Sequence, residues 1–212
     1  MSNPKFDDPG KFWDEKFDRP DYRYGRSPNA FVAQTLPELI DPGQTVLCVG
    51  DGEGRNGVWC AEQGFKTTSL EPSKVGTQKI AALAQQRGVE LAIIHDRMTD
   101  QAVQPHSFDA VVLTFIHAPA QTRQQLHQAC IRALRPGGVI VLEAFTPAQL
   151  TNNRPSGGPP TEALMFTPEM LRDDFADLTI ETLTEEVVQL DEGPGHRGPA
   201  DVVRLVARRG EG

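Results

Sequence analysis

Three glycines in one short turn form the chemically most informative feature of the sequence. Gly50, Gly52 and Gly54 alternate with Asp51 and a glutamate, directly after the apolar, β-branched run 45–49. Because glycine lacks a Cβ, the backbone here can turn tightly and approach a ligand closely. A helix that starts directly after the turn would direct its free N–H groups and the positive end of its dipole at a carboxylate or phosphate. We therefore expect a ligand site at the carboxyl ends of the strands.

An acidic residue at the end of a second strand adds a further constraint. Glu71 follows the run Lys66–Leu70 and lies about 20 residues beyond Gly50, the spacing at which an acid hydrogen-bonds the ribose hydroxyls of adenosine cofactors. The turn and the acid together predict an adenosine ligand, and a nicotinamide dinucleotide would satisfy both. Two features speak against the dinucleotide: the glycines are spaced G-x-G-x-G rather than G-x-G-x-x-G, and we find no second domain for a hydride acceptor.

Short apolar runs alternate with helical ones from residue 45 onward. This rhythm predicts parallel strands joined by right-handed helical crossovers, with helices on both faces of the sheet. Residues 146–163 indicate a long loop, and two β-rich runs, 178–190 and 200–208, then predict an antiparallel pair at the end of the sheet. The predicted fold is α/β: a Rossmann-like, seven-stranded, mostly parallel sheet with an antiparallel C-terminal hairpin, in a three-layer α/β/α sandwich. The other predicted elements are strands at 45–49, 66–70, 91–94, 108–115 and 139–145, and helices at 54–63, 73–87, 120–134 and from Thr167 onward.

Residues 1–31 are unusually aromatic. They hold seven of the fourteen aromatic side chains in the chain. Flexible tails are poor in side chains that must be buried. We therefore expect residues 1–31 to fold back over the sheet as an aromatic cover segment, followed by one domain at 32–212. The seven aromatic residues are Phe6, Phe12, Trp13, Phe17, Tyr22, Tyr24 and Phe31.

Composition and charge argue against several classes of binding partner. The length of 212 residues suits one main domain, and the net charge of −8 opposes binding to a nucleic-acid backbone or an anionic membrane surface. Three cysteines, without a C-x-x-C pair, indicate buried thiols in a reducing compartment rather than disulfides or zinc. No stretch approaches the ~20 apolar residues that span a bilayer. We expect a cytoplasmic monomer or homodimer that holds no metal and binds a small-molecule substrate.

Several short motifs resemble those of class I S-adenosylmethionine (SAM)-dependent methyltransferases. In chain order they are GDGEGRN at 50–56, LEPS at 70–73, FDAVV at 108–112 and LRPGG at 134–138. Three further stretches are similar to a bacterial group related to the tellurite-resistance and thiopurine methyltransferases: YGRSPNAF at 24–31, LEAFTPAQL at 142–150 and LDEGPGHRG at 190–198. The resemblance extends from about Trp13 to Arg208. It implies SAM as the cofactor and a methyltransferase domain at 32–212.

The resemblance also implies which residues bind the cofactor. The glycine turn and Glu71 would hold the methionine and ribose parts of SAM, and Asp96, Arg97 and Met98 would lie along the adenine edge. Cys48 departs from the family pattern, because most class I members carry an acid two residues before the first glycine of the turn. Asp51 or a residue of the N-terminal segment takes over that task, or SAM affinity is lower. The predicted cofactor-binding residues are Gly50, Asp51, Gly52, Gly54, Glu71, Pro72, Arg97, Met98 and Phe115.

The remaining candidates concern the methyl acceptor. Methyl transfer is an in-line displacement at the methyl carbon of a sulfonium cation, which aromatic rings stabilise, so Tyr22 and Tyr24 are candidates for a lid or for ordinary packing. His117, after the fourth strand, is placed to accept a proton from the substrate. Glu143 ends the fifth strand, where a buried acid needs a partner. Glu192 and His196 lie in the loop of the C-terminal hairpin, where substrate contact competes with a turn-forming role. The predicted catalytic residues are His117, Tyr24, Glu143 and His196.

The predicted function is methyl transfer from SAM to a small, soft nucleophile, such as a thiol or an oxyanion of tellurium or selenium. The prediction of a tellurium or selenium oxyanion as substrate rests on the resemblance alone, and a small carboxylate, amine or arsenical fits the sequence almost as well. Two other functions stay open: a SAM- or adenosine-binding module without catalysis, and a nicotinamide-dependent reductase. Arg154 and Arg197 are weaker candidates for holding an anionic substrate.

Overall fold

One mixed sheet of seven strands forms the centre of the molecule. The computed structural model describes residues 8–99 and 101–211. Its strands are β1 Thr45–Val49, β2 Lys66–Leu70, β3 Ala92–Ile94, β4 Phe108–Thr114, β5 Leu134–Phe145, β6 Thr179–Asp191 and β7 Arg197–Arg208. They lie side by side in the order β3-β2-β1-β4-β5-β7-β6.

The first five strands are parallel, and their carboxyl ends meet at one edge of the sheet. The Cα atom of Val49 at the end of β1 pairs with Leu70 of β2 on one side and with Leu113 of β4 on the other. Strand β7 pairs antiparallel with both β5 and β6, so β7 runs against the six other strands. The predicted Rossmann-like, mostly parallel sheet with an antiparallel C-terminal hairpin is confirmed.

Helices cover both faces of this sheet. They are α1 Pro9–Phe17, α2 Ala30–Leu39, α3 Arg55–Glu62, α4 Lys74–Arg87, α5 Ala120–Ala133, α6 Ala148–Thr151 and α7 Pro168–Asp174, with a 3₁₀ turn at Glu162–Leu164. Side chains alternate along a strand, and those of β1 separate the two layers. Leu47 and Val49 pack in one buried cluster with residues of α5 and α7, whereas Val46 and Cys48 pack in another with residues of α2 and α3.

The helix boundaries follow the local sequence signals. Helix α4 begins after Ser73, whose side chain accepts a hydrogen bond from the Gly76 N–H, and it ends at Gly88 in a left-handed conformation. Helix α7 begins after Thr167 as N-cap with Pro168 in its first turn. Both starts and the glycine stop agree with the prediction. In the described part of the chain, no helix is long and apolar enough to cross a membrane.

Two segments differ most from the prediction. Strand β5 begins at Leu134 instead of residue 139, because Leu134 already pairs with Phe108 before an irregularity in the register. Gly137, with a φ of 76°, lies inside the strand, where glycine accommodates such a bulge. The predicted loop at 146–163 contains α6 and most of the 3₁₀ turn. The three cysteines are free and buried, as expected.

Candidate active site

The glycine turn lies at the carboxyl end of β1. Gly50, Gly52 and Gly54 have φ angles of 56°, 62° and 95°, in the left-handed region that favours glycine. A Cβ at Gly52 would come within 3.3 Å of the Phe17 ring, and one at Gly54 within 3.0 Å of Ile80. Both the backbone conformation and the close neighbours therefore require glycine in this turn.

Glu71 lies beside the turn and holds it. One carboxyl oxygen, Oε2, accepts a hydrogen bond from the Gly52 N–H at 2.7 Å, and Oε1 accepts one from the Ser73 N–H at 2.8 Å. Burial raises the pKa of Glu71 to about 8, although the two N–H groups favour the ionised form. The residues predicted to meet the methionine and ribose parts of a cofactor are thus in direct contact with each other.

Asp51 supports the turn from the side of the sheet. Its carboxyl group accepts hydrogen bonds from the Ser69 hydroxyl and from the Gly57 N–H, the latter at 3.1 Å. Burial raises the pKa of Asp51 to about 6, against the opposing effect of these bonds. Cys48 is buried in the core beside Cys60. The acid that joins the turn to β2 and α3 is therefore Asp51, and the thiol of Cys48 packs as an apolar group.

A cavity of about 1260 Å³ lies at the carboxyl ends of β1, β2, β4 and β5. It is larger than the ~300–1,000 Å³ of ordinary ligand pockets, and so has room for a nucleoside cofactor together with a small acceptor. Of the predicted site residues, Gly54 and Glu143 do not lie on its wall. Those that do are Tyr24, Gly50, Asp51, Gly52, Glu71, Pro72, Arg97, Met98, Phe115, His117 and His196.

Helix α1 is fastened beside the cavity by one carboxylate. Asp14 accepts hydrogen bonds from the Ser73 hydroxyl at 2.6 Å and from the Val75 N–H at 2.9 Å. Asp14 lies in a different segment of the chain, yet it satisfies the free Val75 N–H at the start of α4. Gly10 lies against the Pro72 carbonyl, where a Cβ would come within 2.6 Å of the oxygen. The helix therefore sits directly on the segment that follows β2.

Aromatic rings of α1 extend this contact over the turn. Trp13 and Phe17 stack with ring centroids 5.3 Å apart, and the Phe17 ring lies against Gly52. Both residues line the cavity. Phe31 is buried in the core on the face covered by α2, and Phe6 lies outside the described residues.

The two N-terminal tyrosines have different surroundings. Tyr24 lines the cavity, and its ring centroid is 4.4 Å from that of His196. Tyr22 packs against the apolar cluster between α3 and α4, and its hydroxyl donates to the Lys79 carbonyl at 3.3 Å. Of the two roles left open for Tyr22, the structure supports ordinary packing, because its ring fills the contact between the N-terminal segment and α4.

His196 and Glu192 form a hydrogen-bonded pair on the same cavity. The His196 Nδ1 atom lies 3.3 Å from the Glu192 Oε2 atom, so the imidazole lone pair is on Nε2. Among the described residues Nε2 has no hydrogen-bond partner, and it is not enclosed by protein, so it is open to the cavity. Rings of Tyr24, Phe115 and Phe145 surround the imidazole at centroid distances of 4.4, 4.5 and 5.3 Å. Burial lowers the pKa of His196, against the opposing effect of Glu192.

His117 lies on the wall, but both of its ring nitrogens contact backbone groups. Nδ1 is 2.8 Å from the Leu164 carbonyl oxygen, and Nε2 accepts a hydrogen bond from the Phe145 N–H at 3.3 Å. This arrangement sets the proton on Nδ1 and engages the lone pair of Nε2. His117 would have to give up the Phe145 bond before it accepted a proton from a substrate.

Glu143 is buried behind the cavity wall. Its Oε1 atom accepts from Asn29 Nδ2 at 2.6 Å, and its Oε2 atom accepts from Arg204 Nε at 2.7 Å. Burial raises the pKa of Glu143, which Arg204 and Asn29 oppose. Asn29 Nδ2 also donates to Glu192 Oε1 at 3.0 Å. The expectation that Glu143 faces the substrate is not met, because its carboxyl group is bonded to Asn29 and Arg204. Asn29 links Glu143 to Glu192.

Phe115 has an unusual backbone conformation directly after β4. Its φ is 55°, in a region that bulky residues rarely adopt and that costs ~1–3 kcal/mol. Its N–H donates to the Glu143 carbonyl at 2.8 Å, and its ring lies 4.6 Å from that of Phe145. Such strain clusters at functional sites, which agrees with the position of Phe115 between the turn and His196 on the cavity wall.

Neither arginine proposed to hold an anionic substrate lies on the cavity. Arg154 pairs with Asp201 at 2.6 Å, and Arg197 is an exposed residue 3.5 Å from Asp191. Met98 lines the cavity and also packs into the core. Within residues 8–99 and 101–211, no group of three or more histidine, cysteine or acidic side chains is arranged to hold a metal ion.

Two buried charged residues near the site were not among those predicted. Glu53 accepts a hydrogen bond from the Arg23 N–H at 2.6 Å and pairs with Lys79 Nζ at 2.7 Å, which fastens the N-terminal segment to α4. Arg55 Nη1 lies 2.7 Å from Glu192 Oε2. Both residues occur inside the motif GDGEGRN. Charged side chains between glycines that face a ligand site are the sequence feature that could have identified them.

Comparison with known proteins agrees with this geometry. Residues 46–138 match the family model described as a methyltransferase domain, a stretch that includes the glycine turn, Glu71 and β4. This part of the chain is therefore similar to a methyltransferase domain. The match agrees with the enzyme class and the SAM cofactor predicted from the sequence. No curated protein matches the sequence of the chain.

Solved structures share the fold of this chain at low sequence identity. One, from work on the conversion of a disulfide bond into a thioacetal group during echinomycin biosynthesis, has a TM-score of 0.73 at 22% identity and covers 95% of this chain and 92% of its own. TehB from Haemophilus influenzae has a TM-score of 0.68 at 16% identity; the match covers 94% of this chain and 66% of TehB. Magnesium protoporphyrin IX methyltransferase from Synechocystis PCC 6803, with bound SAH (the demethylated product of SAM), has a TM-score of 0.63 at 15% identity. The match covers 84% of this chain and 80% of that enzyme.

Proposed function

We propose that the protein transfers the methyl group of SAM to a small-molecule nucleophile held in the cavity. The observation that carries the proposal is the arrangement of that cavity. Its wall contains the glycine turn and Glu71 and also the open Nε2 atom of His196. A candidate cofactor site and a candidate proton acceptor therefore share one cavity.

The residues on the wall fit SAM, which supplies a methyl group activated by its positive sulfur. The turn leaves space that a side chain would fill, since a Cβ at Gly50 would come within 2.9 Å of Ile116. The Glu71 carboxyl group is placed to bond ribose hydroxyls. Pro72, Arg97 and Met98 are assigned to the adenine side, as the family resemblance implies. The rings of α1 beside the turn supply faces for the sulfonium cation.

On the acceptor side we assign proton removal to His196. Burial keeps its imidazole neutral near pH 7, so Nε2 can take a proton from an S–H or O–H group. Glu192, whose pKa is lowered because His196 and Arg55 outweigh its burial, stays ionised and stabilises the imidazolium that forms. The surrounding aromatic rings exclude water. His117, bonded to backbone on both nitrogens, is assigned a positioning role for the segments at Leu164 and Phe145.

A thiol is the acceptor class that this arrangement suits best. A general base is useful for a nucleophile that is still protonated near neutral pH, which describes a thiol better than an oxyanion. The motifs similar to the tellurite-resistance and thiopurine group contribute Tyr24 and His196, which are neighbours in the cavity. The neighbour from echinomycin biosynthesis is associated with sulfur chemistry. An oxyanion of selenium or tellurium is the second candidate within the same proposal.

The test is a transfer assay with labelled SAM over thiols, selenite, tellurite, arsenite and small amines. We expect label in a thiol product, and loss of that transfer in His196→Ala. Calorimetric titration with SAM and its demethylated product SAH accompanies the assay. Binding of neither with micromolar affinity would refute the methyltransferase proposal. Binding without transfer to any acceptor would instead indicate a non-catalytic SAM-binding module.

We further propose that residues 1–31 act as a cover for the domain at 32–212. The contacts of Asp14 with the start of α4, and of Glu53 with the backbone at Arg23, support this role. In Asp14→Ala the cover loses a contact, and we expect faster SAH release in a stopped-flow measurement; an unchanged rate would contradict it.

The three buried thiols and the net charge of −8 support a cytoplasmic site of action away from nucleic acid, which cell fractionation and a DNA-binding assay would check.

A further inference from the structure

The Arg55 guanidinium is a buried cation on the wall of the cavity. Its side chain is only 8% exposed. Nη1 lies 2.7 Å from Glu192 Oε2, yet its N–H groups are not aimed at that oxygen, and it makes no hydrogen bond with any described residue. Nε and Nη2 also lack partners among the described residues. They are not enclosed by protein, so they are open to the cavity that Arg55 lines.

The acid next to Arg55 does not meet its hydrogen-bonding requirement. Glu192 already accepts from Asn29 at Oε1 and from His196 at Oε2. A buried donor without a partner costs ~1–3 kcal/mol, and more when it is charged. Guanidinium groups satisfy their planar set of donors with carboxylates and similar anions, often through two parallel bonds. Glu192 therefore holds Nη1 only as an ion pair, and it leaves Nε and Nη2 without an acceptor on the wall of the cavity.

We propose that Arg55 binds an anionic group of a ligand, a carboxylate or a comparable oxyanion, through Nε and Nη2. This inference rests on the proposed function. The anion has two sources in that reaction, the methionine carboxylate of SAM or the acceptor itself. The ion pairs behind the wall are balanced without a ligand, because Arg55 and Arg204 offset Glu192 and Glu143. An added negative charge is then offset by the sulfonium of SAM or by a proton on His196.

The experiment compares the binding of three probes to wild-type protein and Arg55→Gln. SAH carries the carboxylate, 5′-methylthioadenosine lacks the amino-acid part, and selenite titrated into the SAH-saturated protein represents an anionic acceptor. We expect Arg55→Gln to weaken binding of an anionic probe by about tenfold or more and to leave 5′-methylthioadenosine affinity within about twofold. A loss for SAH identifies the SAM carboxylate as the anion, whereas a loss for selenite alone identifies the acceptor.

Glu192→Gln is the matched control, since it removes the opposite charge from the same ion pair. If Arg55 binds an anion, this variant frees the guanidinium and strengthens anion binding, the reverse of Arg55→Gln. Weaker anion binding in both variants would show that the pair only maintains the structure and would overturn the inference. Equal losses for SAH and 5′-methylthioadenosine in Arg55→Gln, or no loss for any probe, would overturn it as well. Failure of wild-type protein to bind SAH and 5′-methylthioadenosine would instead refute the proposed function on which it rests.

Discussion

The two ends of the cavity are built in different ways. The cofactor end is local in sequence: a backbone turn and one carboxyl group, Glu71, within a single β-α-β unit. The acceptor end brings together side chains from distant segments, Tyr24, Phe115 and His196, and supports His196 with the buried acid Glu192. A backbone site admits few substitutions, whereas a site made of side chains can change one residue at a time. We therefore expect the two ends to respond separately to mutation.

Gly52→Val should have the largest effect, and only at the cofactor end. The new side chain requires valine at a φ of 62° and meets the Phe17 ring, so we expect SAH affinity to fall at least about a hundredfold in calorimetric titration. Gly88→Val is the matched control, because Gly88 has a φ of 69° with nothing near its Cβ position. Comparable loss of SAH affinity in both variants would indicate general backbone strain and would remove the special role of the turn.

His196→Ala should give the second largest effect, at the acceptor end. Loss of a general base lowers turnover by about 10²–10⁴, while SAH affinity should stay within about threefold of wild type. In wild-type protein the rate should fall as the pH is lowered through the pKa of His196, below its ordinary value of 6.5, because only the neutral imidazole accepts a proton. Kinetics with labelled SAM across the pH range measures both effects. A proportionate loss of SAH affinity would place His196 at the cofactor end.

The same division explains what could be predicted from the sequence. Strands β1 and β2 have the predicted boundaries, and the contact of Gly52 with Glu71 follows from local spacing and from the edge at which parallel strands end. The acceptor end depends on which distant side chains meet. Topology predicted that Glu143 would stand near the site, but its partners Asn29 and Arg204 come from other segments and hold it behind the wall.

His117 shows the same limit. Its position after β4 was predictable, and it does line the cavity. Its hydrogen bond to the Leu164 carbonyl depends on the path of a segment that the sequence indicated only as a loop. Side-chain pairing between distant segments is settled by packing, which a single sequence does not reveal.

Glu71→Gln should have a smaller effect than either of these variants, and it tests the electrostatics of the cofactor end. Ribose hydroxyls donate to the ionised carboxyl group, whose pKa burial raises to about 8. Wild-type affinity for SAH should therefore increase with pH and level off above about pH 8. The variant should bind SAH about tenfold more weakly, without this dependence. Titrations between pH 6 and 9 measure it, and His196→Ala should keep the wild-type profile. A flat wild-type profile would contradict an ionised Glu71 as the ribose acceptor.

The tyrosines provide the smallest and most direct contrast between a site residue and a packing residue. Tyr24→Leu removes a ring beside His196, and we expect kcat/KM to fall about fivefold with little change in stability. Tyr22→Leu removes packing against α3 and α4, and we expect a loss of about 1 kcal/mol in the free energy of unfolding with kcat/KM unchanged. Urea unfolding and steady-state kinetics on both variants separate the two outcomes. If Tyr22→Leu lowered kcat/KM as much as Tyr24→Leu, the cover segment would act on the reaction as one body, and the acceptor end would extend along its whole length.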